Sequence, residues 1–329
     1  MADNRDQELA GLICAYELDQ SGGGRPLVWE DIKIPSANGK PRWIHLNFEE
    51  PNARAWLHES SGLDSSIADA LLDDDSRPRA LQHDNGLLVI LRGVNLNEGA
   101  KPDDMVSIRV WLEENRIIST RRRKLQSVSL MRSKLAEGQG PKGPVDFLLK
   151  LIIQLGERIE PMIDNLDDAI EQAELRFEAD GVSGYRGELS ALRRQSARIR
   201  RFLAPQREAL ERLSKEASTL LPDNDRFRLR EEADRITLYL ETLDLVRERA
   251  MVAQEEIIAK LALEQNNRMY ILAIVAAIFL PLSFATGMMG MNVAGLPGLA
   301  NENAFAITVG LMLVTGGLII AIFKLKKWM

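Results

Sequence analysis

Hydrophobic and polar residues follow different patterns in successive parts of this chain of 329 residues. Over the first part, short apolar runs alternate with turn-forming Gly, Pro, Asn and Asp, which predicts a mixed α/β domain over 1–140. Strands are predicted at 9–17, 41–47, 86–96, 104–113 and 116–120, and helices at 51–60, 64–72 and 124–137.

From Val145 onward the apolar residues recur every three or four positions, which predicts a long-helix stalk region over 141–268. A second helix is predicted over 185–217, and a third begins at Leu221-Pro222-Asp223 and meets no stop signal before about residue 291. A helix of this length favours a parallel bundle with neighbouring copies. The first helix has Pro161 as an expected kink and the apolar positions Phe147, Leu148, Leu151, Ile152, Leu155, Ile159, Met162, Ile163, Leu166 and Ile170.

Two uncharged segments follow at the C-terminal end, from Met269 to Asn301 and from Asn303 to Phe323. Each is long enough for the roughly 20 residues of a membrane-spanning helix. We predict spans at about 269–291 and 303–323, within a transmembrane domain that covers 269–329. Core helices of a soluble protein are the other interpretation, but such helices rarely lack a polar face over this length.

Basic residues flank the two segments on one side only. Arg268 precedes the first span, whereas Lys324, Lys326 and Lys327 follow the second, and Glu302 is the one charge between them. Because Lys and Arg concentrate in cytoplasmic loops, both chain termini are predicted to be cytoplasmic, with a short basic tail. Two helices cannot enclose a passage for ions, so transport would require a homo-oligomer.

The composition excludes several classes of function. A net charge of −6 argues against a general nucleic-acid binder, because neutralising phosphates needs a basic face. The single cysteine, Cys14, excludes an intrachain disulfide, and His45, His58 and His83 do not join it at any metal-ligand spacing. We therefore predict no tight metal site and no resident cofactor. An enzyme is not expected either, since phosphate-loop, nucleophile-elbow and His-Glu-x-x-His motifs are missing.

One side of the third long helix carries mostly small residues where the helix is apolar. A lipid-facing side would favour Leu, Ile and Phe, so this pattern indicates either helix packing or the lining of a pore. Spacing alone leaves both interpretations open. Steps of three and four residues connect Val252, Glu255, Ala259, Ala262, Asn266, Met269, Ala273, Ala276, Leu280, Ser283, Gly287 and Gly290.

Acidic residues are concentrated near the end of the first long helix. Repeated around an oligomer they would attract cations, although acidic runs on helices are more often solvated faces. The group comprises Asp164, Asp167, Asp168, Glu171, Glu174, Glu178 and Asp180.

The tripeptide Gly290-Met291-Asn292 stands at the end of the penultimate apolar segment, after a long charged helix and before a short loop and a basic tail. In this position it resembles the signature of the CorA-type divalent metal ion transporter family. The longer run Gly-Met-Asn-Val-Ala-Gly-Leu-Pro-Gly is similar to the zinc-transporting ZntB branch of that family. The resemblance covers nearly the whole chain, with further matches at Trp43-Ile44-His45-Leu46-Asn47, Ser76-Arg77-Pro78-Arg79, Ser119-Thr120-Arg121 and Ala204-Pro205-Gln206-Arg207.

The resemblance implies a homopentamer in a bacterial inner membrane, with a cytoplasmic funnel and a central pore lined by the first span. It assigns the outer mouth and selectivity filter to Gly290, Met291 and Asn292. Asn292 is also compatible with a helix C-cap, and Glu302 is either part of a cation-attracting ring or a solvated carboxylate. The pore-lining positions are then Asn266, Met269, Ala273, Ala276, Leu280, Ser283 and Gly287.

The function that the resemblance implies is uptake of Zn²⁺, coupled to a proton gradient, with Mg²⁺, Co²⁺, Ni²⁺ and Cd²⁺ as further cations. The absence of clustered Cys and His fits weak, transient ligands. A Mg²⁺ or Co²⁺ channel of the same architecture is the nearest alternative. A membrane-anchored coiled-coil sensor or scaffold is an alternative of a different class, and it predicts no ion flux.

Overall fold

The computed structural model describes residues 11–34, 39–74, 77–180, 185–216, 221–291 and 302–326. The chain divides into two compact units, Met1–Gln254 and Glu255–Met329. The first unit contains the sheet and most of the helices, and the second contains the apolar helical segments. The division into 1–140, 141–268 and 269–329 stays a prediction.

Seven described strands of the N-terminal unit form one sheet in the order β2-β1-β3-β7-β6-β5-β4. β3 and β7 are parallel, with Ile44 opposite Ile118, whereas the other neighbouring strands are antiparallel. A parallel pair needs a crossover connection, and here the crossover contains two short helices and three further strands. The bounds are β1 Leu12–Leu18, β2 Gly24–Pro26, β3 Arg42–Asn47, β4 Arg79–His83, β5 Gly86–Gly93, β6 Val106–Glu113 and β7 Arg116–Arg121.

Short helices cover one face of this sheet. They are α1 Trp29–Ile32, α2 Pro51–Ala55 and α3 Ser65–Leu72. α4 Gln126–Ala136 follows the sheet and contacts the next helix instead, since Oγ of Ser127 donates a 3.5 Å hydrogen bond to the carbonyl of Gln154. α2 continues into a π-helical turn over Trp56–Ser60. The N-terminus of α3 is capped by Asp64, whose carboxylate accepts a hydrogen bond of 2.8 Å from the backbone N–H of Ser66.

The core of the N-terminal unit lies on both faces of the sheet. On one face Ile44, Ile90 and Trp111 pack with Leu57 and Leu71 of the short helices. On the other face the ring centroids of Trp43 and Phe147 lie 4.9 Å apart, so the helix that contains Phe147 covers that face. The sheet is therefore the middle layer of three.

Four long helices complete the described chain: α5 Pro144–Asp180, α6 Tyr185–Glu216, α7 Asp223–Met289 and α8 Ala304–Leu325. The predicted apolar side of α5 is confirmed, because all ten of its residues are buried. The unbroken third long helix is also confirmed, with an end at Met289 rather than 291 and with Pro281 inside it. Pro161 lies inside α5, and the kink expected there stays a prediction.

Three elements were not predicted from the sequence: β2, α1 and β4. β2 has only three residues, which is too short for an alternating pattern to appear. β4 is an edge strand in which Ala80 alone is buried, so its sequence shows no apolar side. The predicted strands at 9–17, 86–96 and 104–113 also differ from β1, β5 and β6 by a few residues at their ends.

Candidate functional site

α7 and α8 each contain an apolar stretch that is long enough to cross a membrane. The predicted spans 269–291 and 303–323 correspond to the last part of α7 and to nearly all of α8. In the C-terminal unit, the nearest charges on α7 are Arg268 and Glu264, which form an ion pair of 3.7 Å. These charges mark the polar end of the α7 stretch.

Within the C-terminal unit, α7 and α8 contact each other at a glycine. A Cβ atom built on Gly316 would lie 3.9 Å from Cδ1 of Leu282, and Gly316 is buried. Leu282 belongs to a set of half-buried residues on one side of α7, which we call the α8-facing side. This side consists of Ile274, Ala277, Ile278, Leu282 and Ala285.

The predicted pore-lining residues lie on the opposite side of α7, which we call the small-residue side. At about 100° per residue, Met269 and Gly287 are roughly 180° from Ile278. The exposed fractions of Met269 and Leu280 are 62% and 72%. This side does not face α8, and all its members are exposed: Asn266, Met269, Ala273, Ala276, Leu280, Ser283 and Gly287.

The predicted filter lies where α7 ends. The backbone N–H of Gly290 donates a 2.9 Å hydrogen bond to the carbonyl of Thr286. A Cβ at Gly290 would lie only 3.2 Å from that same carbonyl oxygen, so a glycine suits this helix end. Met291 is exposed, and Asn292 lies outside the described residues. The assignment of the filter to Gly290, Met291 and Asn292 therefore stays a prediction.

Glu302 is exposed in the turn that precedes α8. Its position fits both of the interpretations that the sequence left open, a cation-attracting ring and a solvated carboxylate. Lys324 and Lys326 stand at the other end of α8 and are also exposed, so the acidic and basic ends of this helix are separated by its uncharged part.

The histidines do not meet in a common site. Among the described residues, no group of three or more His, Cys, Asp or Glu is placed to hold a metal ion. His45 is buried, with Nδ1 2.8 Å from Oγ of Ser119. Burial, together with the positive charges of Arg121 and Arg132, lowers the pKa of His45 well below its ordinary value. His45 is therefore a neutral core residue at physiological pH.

The acidic residues of α5 are partly neutralised by a residue of α7. Nε of Arg249 donates a 3.0 Å hydrogen bond to Glu174, and its Nη1 lies 3.4 Å from a carboxylate oxygen of Asp167. At least these two carboxylates thus contribute to helix packing. The side chains of Glu178 and Asp180 lie outside the described residues.

The structure also brings together polar residues that the sequence analysis did not identify. Glu232, Arg235 and Tyr239 of α7 surround a small cavity beside Gly156 of α5. A signal was present in the sequence, because Glu232 interrupts the buried row formed by Leu229, Ala233 and Ile236.

Comparisons with known proteins agree with this architecture. The family model described as "CorA-like Mg2+ transporter protein" matches residues 38–326. The divalent cation transporter CmaX of Pseudomonas aeruginosa is 37% identical over 325 residues, which cover 97% of this chain and 97% of that protein. The zinc transport protein ZntB of Pectobacterium carotovorum subsp. carotovorum is 34% identical over 326 residues, covering 99% of this chain and 98% of the relative.

A solved structure shares the fold over almost the whole chain. The structure of the full-length CmaX protein superposes with a TM-score of 0.85 at 36% identity, and it covers 96% of this chain and 98% of the other. The α/β unit, the long helices and the two apolar C-terminal helices thus define a membrane transporter rather than an enzyme. The chain belongs to the CorA family of divalent cation transporters.

Proposed function

We propose that this protein takes up Zn²⁺ through the central pore of a homopentamer in a bacterial inner membrane, driven by a proton gradient. The observation that carries the proposal is the small-residue side of α7. It is exposed and points away from α8, so it is free to face the same side of α7 in other copies. Several copies are needed, because one pair of helices cannot enclose water.

The side chains on the small-residue side of α7 suit the passage of a dication rather than its tight binding. Asn266 and Ser283 offer neutral oxygen atoms, and Ala273 and Ala276 leave space between them. At the filter, a ring of Asn292 amides would hydrogen-bond the water shell of a cation without replacing it. Neutral oxygen ligands of this kind release Zn²⁺ quickly, because tight zinc sites are built from thiolates and imidazoles instead.

The orientation follows from the charges beside the spans. Arg268, Lys324 and Lys326 lie at the ends that we place in the cytoplasm, together with both chain termini. Glu302 then lies on the outer side, where a ring of carboxylates would attract cations to the mouth.

A Mg²⁺ or Co²⁺ channel is the second candidate. The family model is described by Mg²⁺ transport, and CmaX, at 37% identity, is named only for divalent cations. Oxygen ligands that act through the water shell do not favour Zn²⁺ over Mg²⁺ or Co²⁺. Ni²⁺ and Cd²⁺ belong among the test cations for the same reason.

Uptake into proteoliposomes separates the candidates. We expect Zn²⁺ uptake that saturates and increases when the outside is acidic, and we expect Asn292→Ala to abolish it. Asn303→Ala, the same change at the start of α8, is the matched control and should retain uptake. Saturating Mg²⁺ uptake without Zn²⁺ uptake would replace the zinc proposal with the second candidate.

The scaffold alternative makes the opposite prediction. It expects no flux of any cation and no effect of Asn292→Ala. The mass of the detergent-solubilised protein gives an independent test, for which we expect five copies. A monomer or dimer would overturn the pore, because too few copies of α7 would be present to line it.

A further inference from the structure

A small cavity lies inside the N-terminal unit, between β5, α5, α6 and α7. Its volume is about 10 Å³ for the centre of a water molecule, which is about the minimum for one ordered water. Most of its wall is aliphatic, and the polar groups that reach it come from Gln206, Glu232, Arg235 and Tyr239. Polar groups in such a place need partners, because burial without a hydrogen bond is costly.

The carboxyl group of Glu232 is pressed against the backbone of α5. Only 8% of Glu232 is exposed. A Cβ atom built on Gly156 would lie 3.0 Å from Oε2 of Glu232 and 3.7 Å from Nη1 of Arg235. The glycine therefore makes the space in which both side chains fit between the helices.

Partners for an ionised Glu232 are few. Its nearest cation is Arg235, with Nη1 at 3.5 Å from Oε2, which is long for a charge-assisted hydrogen bond. The hydroxyl of Tyr239, in a residue only 7% exposed, finds no hydrogen-bond partner among the described residues. A water molecule in the cavity, which both residues line, would give each group a partner.

The charged groups around Glu232 oppose one another. Arg235 and Arg228, on the same helix, favour its ionised form, whereas Glu157 and Glu160 of α5 disfavour it. α6 and β5 add Gln206, Leu210 and Leu91, which carry no charge. Burial is the largest effect and raises the pKa of Glu232. Burial also raises the pKa of Tyr239 to about 12, so its hydroxyl stays protonated.

We propose that Glu232 is a proton-binding site that controls how tightly α7 packs against α5. With a proton bound, the carboxyl is neutral and fits beside Gly156. When the proton leaves, a negative charge remains in a nearly closed space that faces Glu157 and Glu160, and the contact between the two helices loosens. α7 is also the helix that carries the small-residue side, yet the site itself does not depend on which cation is transported.

The direction of the pH effect follows from the raised pKa. The folded protein holds the proton more tightly than the unfolded chain, so the contribution of Glu232 to stability is fully present below its ordinary pKa of about 4.3. This contribution is lost as the pH rises through the folded value. Rising pH therefore loosens the α5–α7 contact, and falling pH tightens it.

Infrared titration of the full-length protein in nanodiscs tests the site directly. We expect a carboxylic-acid C=O band that persists above the ordinary range of Glu and is missing in Glu232→Gln. The matched control is Glu231→Gln, the same change at the exposed neighbouring residue, and it should retain the band. Arg235→Gln should move the titration to higher pH, because the favourable cation is removed.

Hydrogen exchange of α5 and α7 peptides tests the consequence for packing. Near pH 7.5 we expect several-fold faster exchange in the wild type than in Glu232→Gln, and equal exchange near about pH 4, where the wild type is also protonated. A band that survives in Glu232→Gln would overturn the proposal. So would faster exchange of Glu232→Gln at every pH, since Glu232 would then act as an ionised partner of Arg235.

Discussion

Ser119 connects two buried ring systems in the sheet. Nε1 of Trp43 donates a 2.8 Å hydrogen bond to its Oγ, and Nδ1 of His45 lies 2.8 Å from the same oxygen. All three residues are fully buried, so water cannot replace a lost partner. The hydroxyl therefore satisfies two ring nitrogens at once.

Ser119→Ala is expected to lower the free energy of unfolding by about 1 to 3 kcal/mol, because it leaves buried polar atoms without partners. The midpoint of denaturant unfolding, followed by tryptophan fluorescence in detergent, measures this loss. Ser129→Ala on the exposed side of α4 is the control and should change stability by less than about 0.5 kcal/mol. Equal effects of the two substitutions would contradict the role of Ser119.

The free energy of unfolding should fall in mild acid because of His45. Its pKa in the folded state is lowered by burial, so the unfolded chain takes up a proton below about pH 6.5 while the folded protein does not. The stabilisation is complete above this pH and is lost as the pH falls. His45→Asn, which keeps a nitrogen or oxygen atom near Ser119, should remove this part of the pH dependence.

Denaturant midpoints of the wild type and His45→Asn, compared between about pH 7.5 and pH 5, measure the effect. The contribution of Glu232 is present in both proteins and cancels in the comparison. His58→Asn, at an exposed histidine, is the control and should follow the wild type. If the denaturant midpoint of His45→Asn changes with pH as much as that of the wild type, His45 is not the cause of the lower stability in acid.

At the scale of elements, α5 holds the N-terminal unit together through one apolar side. Ile159 is fully buried there, whereas Leu175 on the same helix is 53% exposed. Ile159→Ala should lower the free energy of unfolding by about 2 to 5 kcal/mol, because it removes buried methyl groups and leaves a cavity. Leu175→Ala should cost much less in the same denaturant titration, and similar losses would show that α5 is not packed as described.

The long helices could be predicted from the sequence because their apolar positions repeat over many turns. In α5 the repeat continues from Phe147 to Ile170, and each of its predicted members is buried. β4 shows no such repeat, since its place is fixed by pairing with β5 rather than by its own buried side chains. The parallel pairing of β3 with β7 likewise depends on contacts between distant parts of the chain, which no local pattern reveals.

The candidate site was only partly predictable for a similar reason. Periodicity identified the small-residue side of α7, and the position of Gly316 beside Leu282 shows that this side points away from α8. Glu232 was missed because its significance comes from α5: Gly156 faces it, and Glu157 and Glu160 lie near it. A residue's own helix does not predict which charges a neighbouring helix will bring.

At the scale of the whole molecule, the single cysteine makes the two sides of α7 easy to compare. Cys14 is buried, so added cysteines can be labelled against a low background. Ser283→Cys should react with a charged, water-soluble thiol reagent, because thiols ionise where water is present. Ile278→Cys, on the α8-facing side, should not react. Labelling of Ile278→Cys alone would place the water on the other side of the helix.

The order of elements along the chain has a consequence for biosynthesis. Every described strand lies between Leu12 and Arg121, whereas the first span begins near Met269. A ribosome that adds 5 to 20 residues per second needs roughly 7 to 30 seconds to cover this interval. The β-sheet can therefore form in water before the first membrane span emerges, and nascent chains stalled short of Met269 should already resist protease within the seven described strands.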